Sequence, residues 1–255
     1  MPGGWPQHLA RRFVEAASHG GIVLAVRSCG VEIVLIRHGE PEWVRDGWNV
    51  DNPPLTERGR RQAEQMAEAL ADEQFDEVLV SPLVRARETA RPLLEALARA
   101  EVVDPWLEEI RNPIWHGTPR DKAEAAYRED RARPAEQRWL GLEGGEPVRD
   151  FVQRIHTGAR AFLAERGVRR ASHELPVWEI DAPDRRIALV AHAGTNSVTI
   201  CHLLGLDPTP WEWERFVLGH GSISRVESLQ LGDGHTFSLS RLSDLEHLTV
   251  TDRTR

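Results

Sequence analysis

Two histidines in this sequence stand at the ends of apolar runs of strand length. His38 follows the run 31–36 and Arg37, and His192 follows the run 187–191. A buried strand that ends in this way delivers polar groups to the rim of a sheet, and in open α/β sheets ligands bind outside the carboxyl ends of the strands. A glycine comes soon after each histidine, which allows the chain to turn tightly or to approach a ligand. These two strand ends predict a ligand site that contains two imidazoles.

A third apolar run adds a second cation to the same predicted edge. This run ends at Ser81, and Arg85 follows it on the first turn of a predicted helix. Since the carboxyl ends of parallel strands meet at one edge of a sheet, we expect the guanidiniums of Arg37 and Arg85 and both imidazoles to surround a single pocket.

This set of side chains suits a phosphoryl group. Two guanidiniums can neutralise its charge and orient it through bidentate contacts. One imidazole can attack phosphorus if its other nitrogen is held by a hydrogen bond, and the second, if protonated, can stabilise charge on the equatorial oxygens. The leaving alkoxide also needs a proton, which a carboxylic acid beside an anionic phosphate can supply. Glu108 and Glu109, which follow the third predicted strand, are the candidates.

The pattern of elements that must position these residues is that of an α/β fold. Strand-like runs alternate with helical spacing, which favours a mostly parallel sheet flanked by helices. We expect helices over the stretches 56–70, 85–100, 121–140, 146–165 and 196–204. The stretch 169–185 is polar and contains prolines, which is typical of a connection, and 222–231 with 236–242 predicts a closing hairpin.

One catalytic domain with an inserted cap accounts for the length and the composition. The chain has 255 residues, 40% hydrophobic and 28% charged, which is typical of a soluble globular protein. We expect an N-terminal extension over 1–30 whose order the sequence leaves open, a catalytic domain over 31–245 and a C-terminal tail over 246–255. The charged stretch 113–146 is predicted to be a helical cap over the sheet.

Composition also argues against several classes of partner. The net charge is −8 and no basic stripe stands out, so we expect no nucleic acid. No apolar run approaches the ~18 residues that a membrane span needs. Cys29 and Cys201 lie far apart, which favours a reduced, cytoplasmic setting. No GxGxxG follows the first strand and no HExxH occurs, so the sequence predicts neither a dinucleotide nor a metal as cofactor.

Several motifs, in a fixed order, resemble those of the histidine phosphatase superfamily, which also contains cofactor-dependent phosphoglycerate mutases and acid phosphatases. The resemblance covers residues 32–231. The motifs that carry it are LIRHGE at 35–40, PLTERGRRQA at 54–63, SPLVRARETA at 81–90, LEEI at 107–110 with WHG at 115–117, GGE at 144–146 and VAHAG at 190–194.

The resemblance implies a role for each strand-end residue. His38 would be the nucleophile that becomes phosphohistidine, and Arg37, Arg85 and His192 would bind the phosphoryl group. Family members generally need no metal, and the family fold is a three-layer sandwich around a mixed, mostly parallel sheet with an inserted helical cap. Separately, Asn196 at the start of its predicted helix either caps that helix or donates to phosphate.

The resemblance also selects a proton donor, although the neighbouring residue stays an alternative. Glu109 matches the acid of the family's Leu-x-Glu pattern, and Glu108 is adjacent to it. Where many relatives carry a phosphate-contacting asparagine four residues after the Glu of the first motif, this chain has Val44. This departure bears on the shape of the substrate more than on the phosphoryl chemistry.

Three hypotheses about function follow. The first is a phosphomonoester hydrolase that acts on a small phosphorylated metabolite through phosphohistidine. The second is a phosphoglycerate mutase-type phosphotransferase, which uses the same residues but keeps the phosphoenzyme until a second hydroxyl attacks. The third is a catalytically inactive module that binds a phospho-ligand or a protein. The expected partner is a small phosphorylated substrate, and a homodimer stays open.

Overall fold

The computed structural model describes residues 30–172, 174–182 and 184–254. The N-terminal extension, except for Gly30, lies outside the described residues. No helix in the described ranges is both long enough and apolar enough to cross a membrane.

An eight-stranded sheet forms the centre of the described structure, in the order β5-β4-β8-β1-β9-β10-β7-β6. Its strands are β1 (Val31–Arg37), β4 (Glu77–Val80), β5 (Val102–Val103), β6 (Val168–Arg170), β7 (Trp178–Ile180), β8 (Arg185–Ala191), β9 (Ile223–Leu231) and β10 (Gly234–Asp244), and β2 (Val44–Arg45) with β3 (Trp48–Asn49) makes a separate small hairpin. The strands β5, β4, β8 and β1 are parallel, and the other four pair antiparallel in succession. The expected mixed sheet is confirmed.

Helices cover both faces of this sheet. They are α1 (Glu57–Leu70), α2 (Val84–Ala96), α3 (Arg120–Ala132), α4 (Val148–Glu165), α5 (Ala193–Leu204) and α6 (Glu212–Arg215), with 3₁₀ helices at Pro105–Leu107, Ala135–Leu140 and Val250–Asp252. Alternate residues of β1 point to opposite faces, as the period of two requires. Ile33 and Leu35 pack with residues of α4 and α5, whereas Val34 and Ile36 pack with residues of α1 and α2. The result is the predicted three-layer sandwich.

Two sequence-based boundaries were wrong. The stretch 169–185, expected to be a plain connection, contributes to β6 and contains β7. β6 is the edge strand and β7 lies next to it. Each has only three residues, charged ones among them, so neither forms an apolar run, and their buried side chains are Val168 and Trp178. The helix expected over 196–204, which is α5, begins three residues earlier, at Ala193, with His192 as its N-cap.

The parallel strands bring the predicted site residues to one edge. Arg37 at the end of β1 is paired in register with Ala191 at the end of β8, and Val80 of β4 pairs with Val190. The antiparallel strand β9 starts at this same edge, since Ile223 pairs with Ile36. The segment that precedes β9 therefore also reaches the carboxyl edge of the parallel strands.

Gly39 and Gly59 let the start of α1 pack directly against the end of β1. A Cβ on Gly39 would lie 2.4 Å from the carbonyl oxygen of Gly59, and a Cβ on Gly59 would lie 2.2 Å from that of Glu40. Such distances are shorter than any van der Waals contact, so this approach depends on two residues without side chains.

The C-terminal segment 246–254 packs against the domain. Leu248 is buried, and Asp252 forms an ion pair with Arg61 of α1 at 2.7 Å. Gln62 of the same helix donates from Nε2 to the carbonyl oxygen of Asp252 at 2.5 Å and to Oγ1 of Thr254 at 3.0 Å. The segment is thus attached to the helix that packs on the end of β1.

We predict that Leu248→Ala lowers the free energy of unfolding by about 2–5 kcal/mol, because it leaves a cavity between the C-terminal segment and the domain. Val250→Ala is the matched control, since Val250 lies two residues away and is 80% exposed. Urea unfolding of both variants measures the difference. Equal stability of the two would mean that the segment contributes nothing to folding.

Candidate active site

His38 lies at the carboxyl end of β1 with its backbone fixed on both sides. Its N–H donates to the carbonyl oxygen of Ala191 at 3.0 Å, and its own carbonyl accepts from the N–H of Gly221 at 3.1 Å. Nδ1 lies 2.7 Å from the carbonyl oxygen of Gly39. Because a carbonyl oxygen can only accept, Nδ1 carries the proton. Nε2 therefore keeps its lone pair, and Arg85 donates to it from Nε at 3.3 Å.

Two guanidiniums flank this nitrogen. Arg37 donates from Nη1 to the carbonyl oxygen of Leu218 at 2.5 Å, and Arg85, on the first turn of α2, lies 4.8 Å from the ring centre of Trp43. Neither guanidinium forms an ion pair with a carboxylate within the described residues. Burial lowers the pKa of each guanidinium to about 10, so both stay charged at neutral pH.

His192 brings a second imidazole to the site, as expected. The ring centres of His38 and His192 are 5.1 Å apart. Nε2 of His192 lies 2.7 Å from Oγ of Ser81, whereas its Nδ1 is buried and has no partner among the described residues. Burial first, and then the charge of Arg85, hold the pKa of both imidazoles well below the usual 6.5. Both rings are therefore neutral in the free site.

A third imidazole, that of His220, was missed by sequence reasoning. Its ring centre is 5.7 Å from that of His38, and Arg37 donates to its Nε2 from Nη2 at 2.9 Å. Burial, together with the charge of Arg37, lowers the pKa of His220 to about 3. The signal in the sequence was its place just before the predicted strand 222–231.

The two adjacent carboxylates point in different directions. Oε2 of Glu109 accepts from the N–H of Gly194, at the N-terminus of α5, at 2.9 Å, and Glu109 faces the cavity beside His38. The carboxylate of Glu108 pairs with Arg111 at 2.7 Å instead. The geometry places Glu109 in the cavity wall that also contains His38 and leaves Glu108 in an ion pair.

The Gly-Gly-Glu motif holds this acidic segment in place. Glu146 accepts from the N–H of Arg111 at 3.0 Å and pairs with Arg154 of α4 at 2.8 Å. Arg154 donates in turn to the carbonyl oxygens of Glu108 and Glu109, at 3.0 and 3.2 Å. The motif acts through Arg154 on the backbone of both acidic residues.

A cavity of about 420 Å³ opens above these residues, beneath the inserted cap. Arg37, His38, Arg85 and Glu109 lie in its wall. The cap contributes side chains that include Tyr127, Arg131, Arg138 and Leu142. An adjoining lobe of about 570 Å³ extends towards Trp115 and Asn52. The site thus has room for a small organic group beyond the cluster of imidazoles and guanidiniums.

Asn196 is not part of this wall. Its side chain is fully buried, neither its Oδ1 nor its Nδ2 has a partner among the described residues, and its backbone N–H donates to the carbonyl oxygen of His192 at 2.9 Å within α5. Asn196 therefore does not cap this helix, and its contact with phosphate stays a prediction. Trp43 does line the cavity, whereas Trp48 is exposed outside it.

Among the residues that the structure describes, no three His, Cys, Asp or Glu side chains come together as metal ligands. Independence from metals stays a prediction.

Comparison with known proteins identifies the family. A model of the histidine phosphatase superfamily (branch 1) matches residues 33–240. The chain therefore belongs to this superfamily, as the motifs indicated, and its class as a phosphatase-type enzyme is confirmed at the level of the family.

Relatives in the family carry different names. Phosphoserine phosphatase 1 of Hydrogenobacter thermophilus is 29% identical over 180 residues, which cover 69% of this chain and 78% of that protein. The probable phosphoglycerate mutase GpmB of Yersinia pestis is 28% identical over 235 residues, 86% of this chain and 96% of that protein.

Solved structures support the fold. The putative alpha-ribazole-5'-P phosphatase of Escherichia coli aligns with a TM-score of 0.59 and 27% identity, over 84% of this chain and 97% of that one. A mycobacterial glucosyl-3-phosphoglycerate phosphatase aligns with a TM-score of 0.63 and 24% identity, over 84% and 99%.

We predict that the buried imidazoles make the protein less stable as the pH falls from about 6.5 to about 3. Their pKa values are lowered in the folded state, well below 6.5 for His38 and His192 and to about 3 for His220. In that window the unfolded chain binds more protons than the folded one, so each step down in pH favours unfolding. Thermal unfolding between pH 7 and 4 measures this, and a melting temperature that does not fall would contradict the buried, neutral imidazoles.

Proposed function

We propose that this protein hydrolyses a small phosphomonoester through a covalent phosphohistidine at His38. The observation that carries the proposal is the pair of desolvated guanidiniums, Arg37 and Arg85, which form no ion pair among the described residues. They lie beside His38, whose unprotonated Nε2 accepts from Arg85 in the free site. Unpaired buried charge is costly, and a phosphoryl group offsets it with a geometry that suits guanidinium donors.

The attack on phosphorus needs the tautomer that His38 already has. Its Nε2 lone pair forms the bond to phosphorus while the bond to the leaving oxygen breaks. The ring becomes positively charged, and the Nδ1–H that donates to the carbonyl oxygen of Gly39 stabilises this charge. The hydrogen bond also fixes the orientation of the ring throughout the reaction.

Glu109 completes both halves of the reaction by moving one proton. The negative charge of bound phosphate favours the protonated form of a nearby carboxyl. Glu109 gives this proton to the leaving alkoxide, and as a carboxylate it then takes a proton from the water that attacks the phosphohistidine. Phosphate is released and His38 returns to its neutral form. The N–H of Gly194, which donates to Glu109, holds the carboxyl at the edge of the cavity.

His192 supports charge on the phosphoryl oxygens as a neutral donor. If the hydroxyl of Ser81 donates to Nε2, the proton of His192 resides on Nδ1, the atom without a partner. Nδ1–H can then donate to an equatorial oxygen of the transferring group. This differs from the expectation of a protonated imidazole, because burial beside two guanidiniums disfavours a third positive charge.

A phosphoglycerate mutase-type transferase is the second candidate. It is favoured by the probable phosphoglycerate mutase of Yersinia pestis, which matches 86% of this chain. The two reactions share every step up to the phosphoenzyme and differ in whether water or a second hydroxyl attacks it. Val44, in place of the asparagine of many relatives, favours the hydrolase.

The proposed hydrolase also works in a reduced, cytoplasmic setting and needs no cofactor.

We predict that Glu109→Gln lowers kcat/KM for an alkyl phosphate by about 10²–10⁴-fold, because the leaving alkoxide loses its proton donor. The loss should be smaller with p-nitrophenyl phosphate, whose leaving group needs no proton. Glu108→Gln is the matched control, and we expect it to retain most of the activity. Steady-state phosphate release from both substrates measures the effect.

Equal losses in the two glutamine variants, or a loss for Glu109→Gln that does not depend on the leaving group, would contradict the role of Glu109. The same assays, run alongside conversion of 3-phosphoglycerate to 2-phosphoglycerate, separate the two candidates. Phosphate release from a panel of small phosphorylated metabolites without isomerisation supports the hydrolase, and isomerisation without net release supports the mutase.

A further inference from the structure

His220 is tied to the C-terminus of the chain as well as to Arg37. Because Arg37 can only donate, Nε2 of His220 must be the acceptor, and its proton must reside on Nδ1. Nδ1 lies 3.0 Å from Oγ1 of Thr254 and donates to it. The backbone N–H of His220 donates to the carbonyl oxygen of Thr254, also at 3.0 Å. Arg37 thus sets the tautomer of His220, and Thr254 holds its position through two hydrogen bonds.

Thr254 is in turn connected to the chain that follows His38. Gln62 of α1 donates from Nε2 to Oγ1 of Thr254 at 3.0 Å, and its Oε1 accepts from the N–H of Glu40 at 2.7 Å. Gln62 is fully buried. A continuous set of hydrogen bonds therefore runs from Arg37 through the C-terminal segment to the loop after the nucleophile.

We propose that His220, fixed by Thr254, is a positioning residue that orients the guanidinium of Arg37 for the phosphoryl group. The inference rests on the proposed function. A guanidinium has five N–H donors, and contacts with Leu218 and His220 use two of them, which leaves the others for a ligand.

His220 can orient Arg37 without weakening phosphate binding because its imidazole is uncharged. A carboxylate at this place would orient Arg37 equally well but would pair with it and neutralise the charge that attracts phosphate. A neutral imidazole, whose pKa of about 3 keeps it unprotonated, accepts the hydrogen bond and leaves the charge of Arg37 intact. The carbonyl oxygen of Leu218 is also a neutral acceptor that leaves the charge of Arg37 intact.

Two amide substitutions separate the contact with Arg37 from the contact with Thr254. In His220→Gln the amide reaches the position of Nε2 and can accept from Arg37. In His220→Asn the amide reaches only the position of Nδ1, so it can donate to Thr254 but leaves Arg37 without its acceptor. His235→Gln is the control, since His235 lies near the start of β10, at the opposite edge of the sheet.

We expect His220→Asn to lower kcat/KM for p-nitrophenyl phosphate by about 10- to 100-fold and to weaken the binding of vanadate by a similar factor. His220→Gln should stay within a few-fold of the unsubstituted protein, and His235→Gln should match it. Thr254→Val, which preserves shape but removes the acceptor of Nδ1–H, should fall between the two. Melting temperatures measured in parallel distinguish misorientation of the Arg37 guanidinium from a loss of folding stability.

Equal losses in the Asn and Gln variants, or losses that follow the melting temperature, would overturn the inference and make His220 a packing residue. Unchanged vanadate binding and turnover in His220→Asn would overturn it as well. Failure of the proposed function has a different signature, in which the unsubstituted protein binds vanadate, with the expected dependence on His220, and yet releases no phosphate from any substrate.

Discussion

Arg37 and Arg85 form no ion pair among the described residues, and their positive charge is the feature on which the rest of the site depends. Moving a charge out of water is unfavourable, and an ion pair is the usual compensation. Here the described partners of the two guanidiniums are neutral acceptors: the carbonyl oxygen of Leu218 and the imidazoles of His220 and His38. Such partners satisfy N–H donors and leave the net charge in place, so the free site is prepared for an anion.

The same charge determines the state of the imidazoles. Protonation of His38 or His192 would add positive charge beside two guanidiniums. Burial and this repulsion lower the pKa of both imidazoles. A neutral His38 is the form that can attack phosphorus. In the proposed mechanism, the guanidiniums that bind the phosphoryl group therefore also keep His38 in its nucleophilic form. Glu109 lies in the wall of the same cavity and forms no ion pair with either arginine among the described residues.

Strand topology explains how residues so far apart in sequence reach one place. The carboxyl ends of β1, β8 and β4 lie side by side, and β9 enters the sheet at the same edge. The cap closes over this edge, and Arg154 holds the backbone of the acidic segment beneath it. The cap contributes side chains to the cavity above this edge, and we expect these side chains to determine which substrate fits.

Much of this could be predicted from the sequence because the signals are local. Short apolar runs that stop at Arg37, Ser81 and His192 predict both the parallel strands and the residues at their ends. The two adjacent glutamates could not be separated in that way, since only the folded backbone decides that Glu109 faces Gly194 while Glu108 faces Arg111.

Other features depend on contacts between distant parts of the chain. His220 reaches the site from the segment that precedes the antiparallel strand β9, so the rule about carboxyl ends did not apply to it. The C-terminal segment has one buried leucine and is held mainly by polar contacts with α1, and no periodic pattern reveals such contacts. The strands β6 and β7 were missed for the same reason, because short strands at or next to a sheet edge, with few apolar residues, resemble connections.

The most direct test of the account is to trap the phosphoenzyme and to locate the phosphate. The protein is mixed with p-nitrophenyl phosphate, denatured in alkali within the first turnovers, digested and mapped by mass spectrometry. The account predicts phosphate on His38, stable in alkali and lost in acid, and no such peptide from His38→Ala. Phosphate on another residue, or full turnover by His38→Ala, would contradict it.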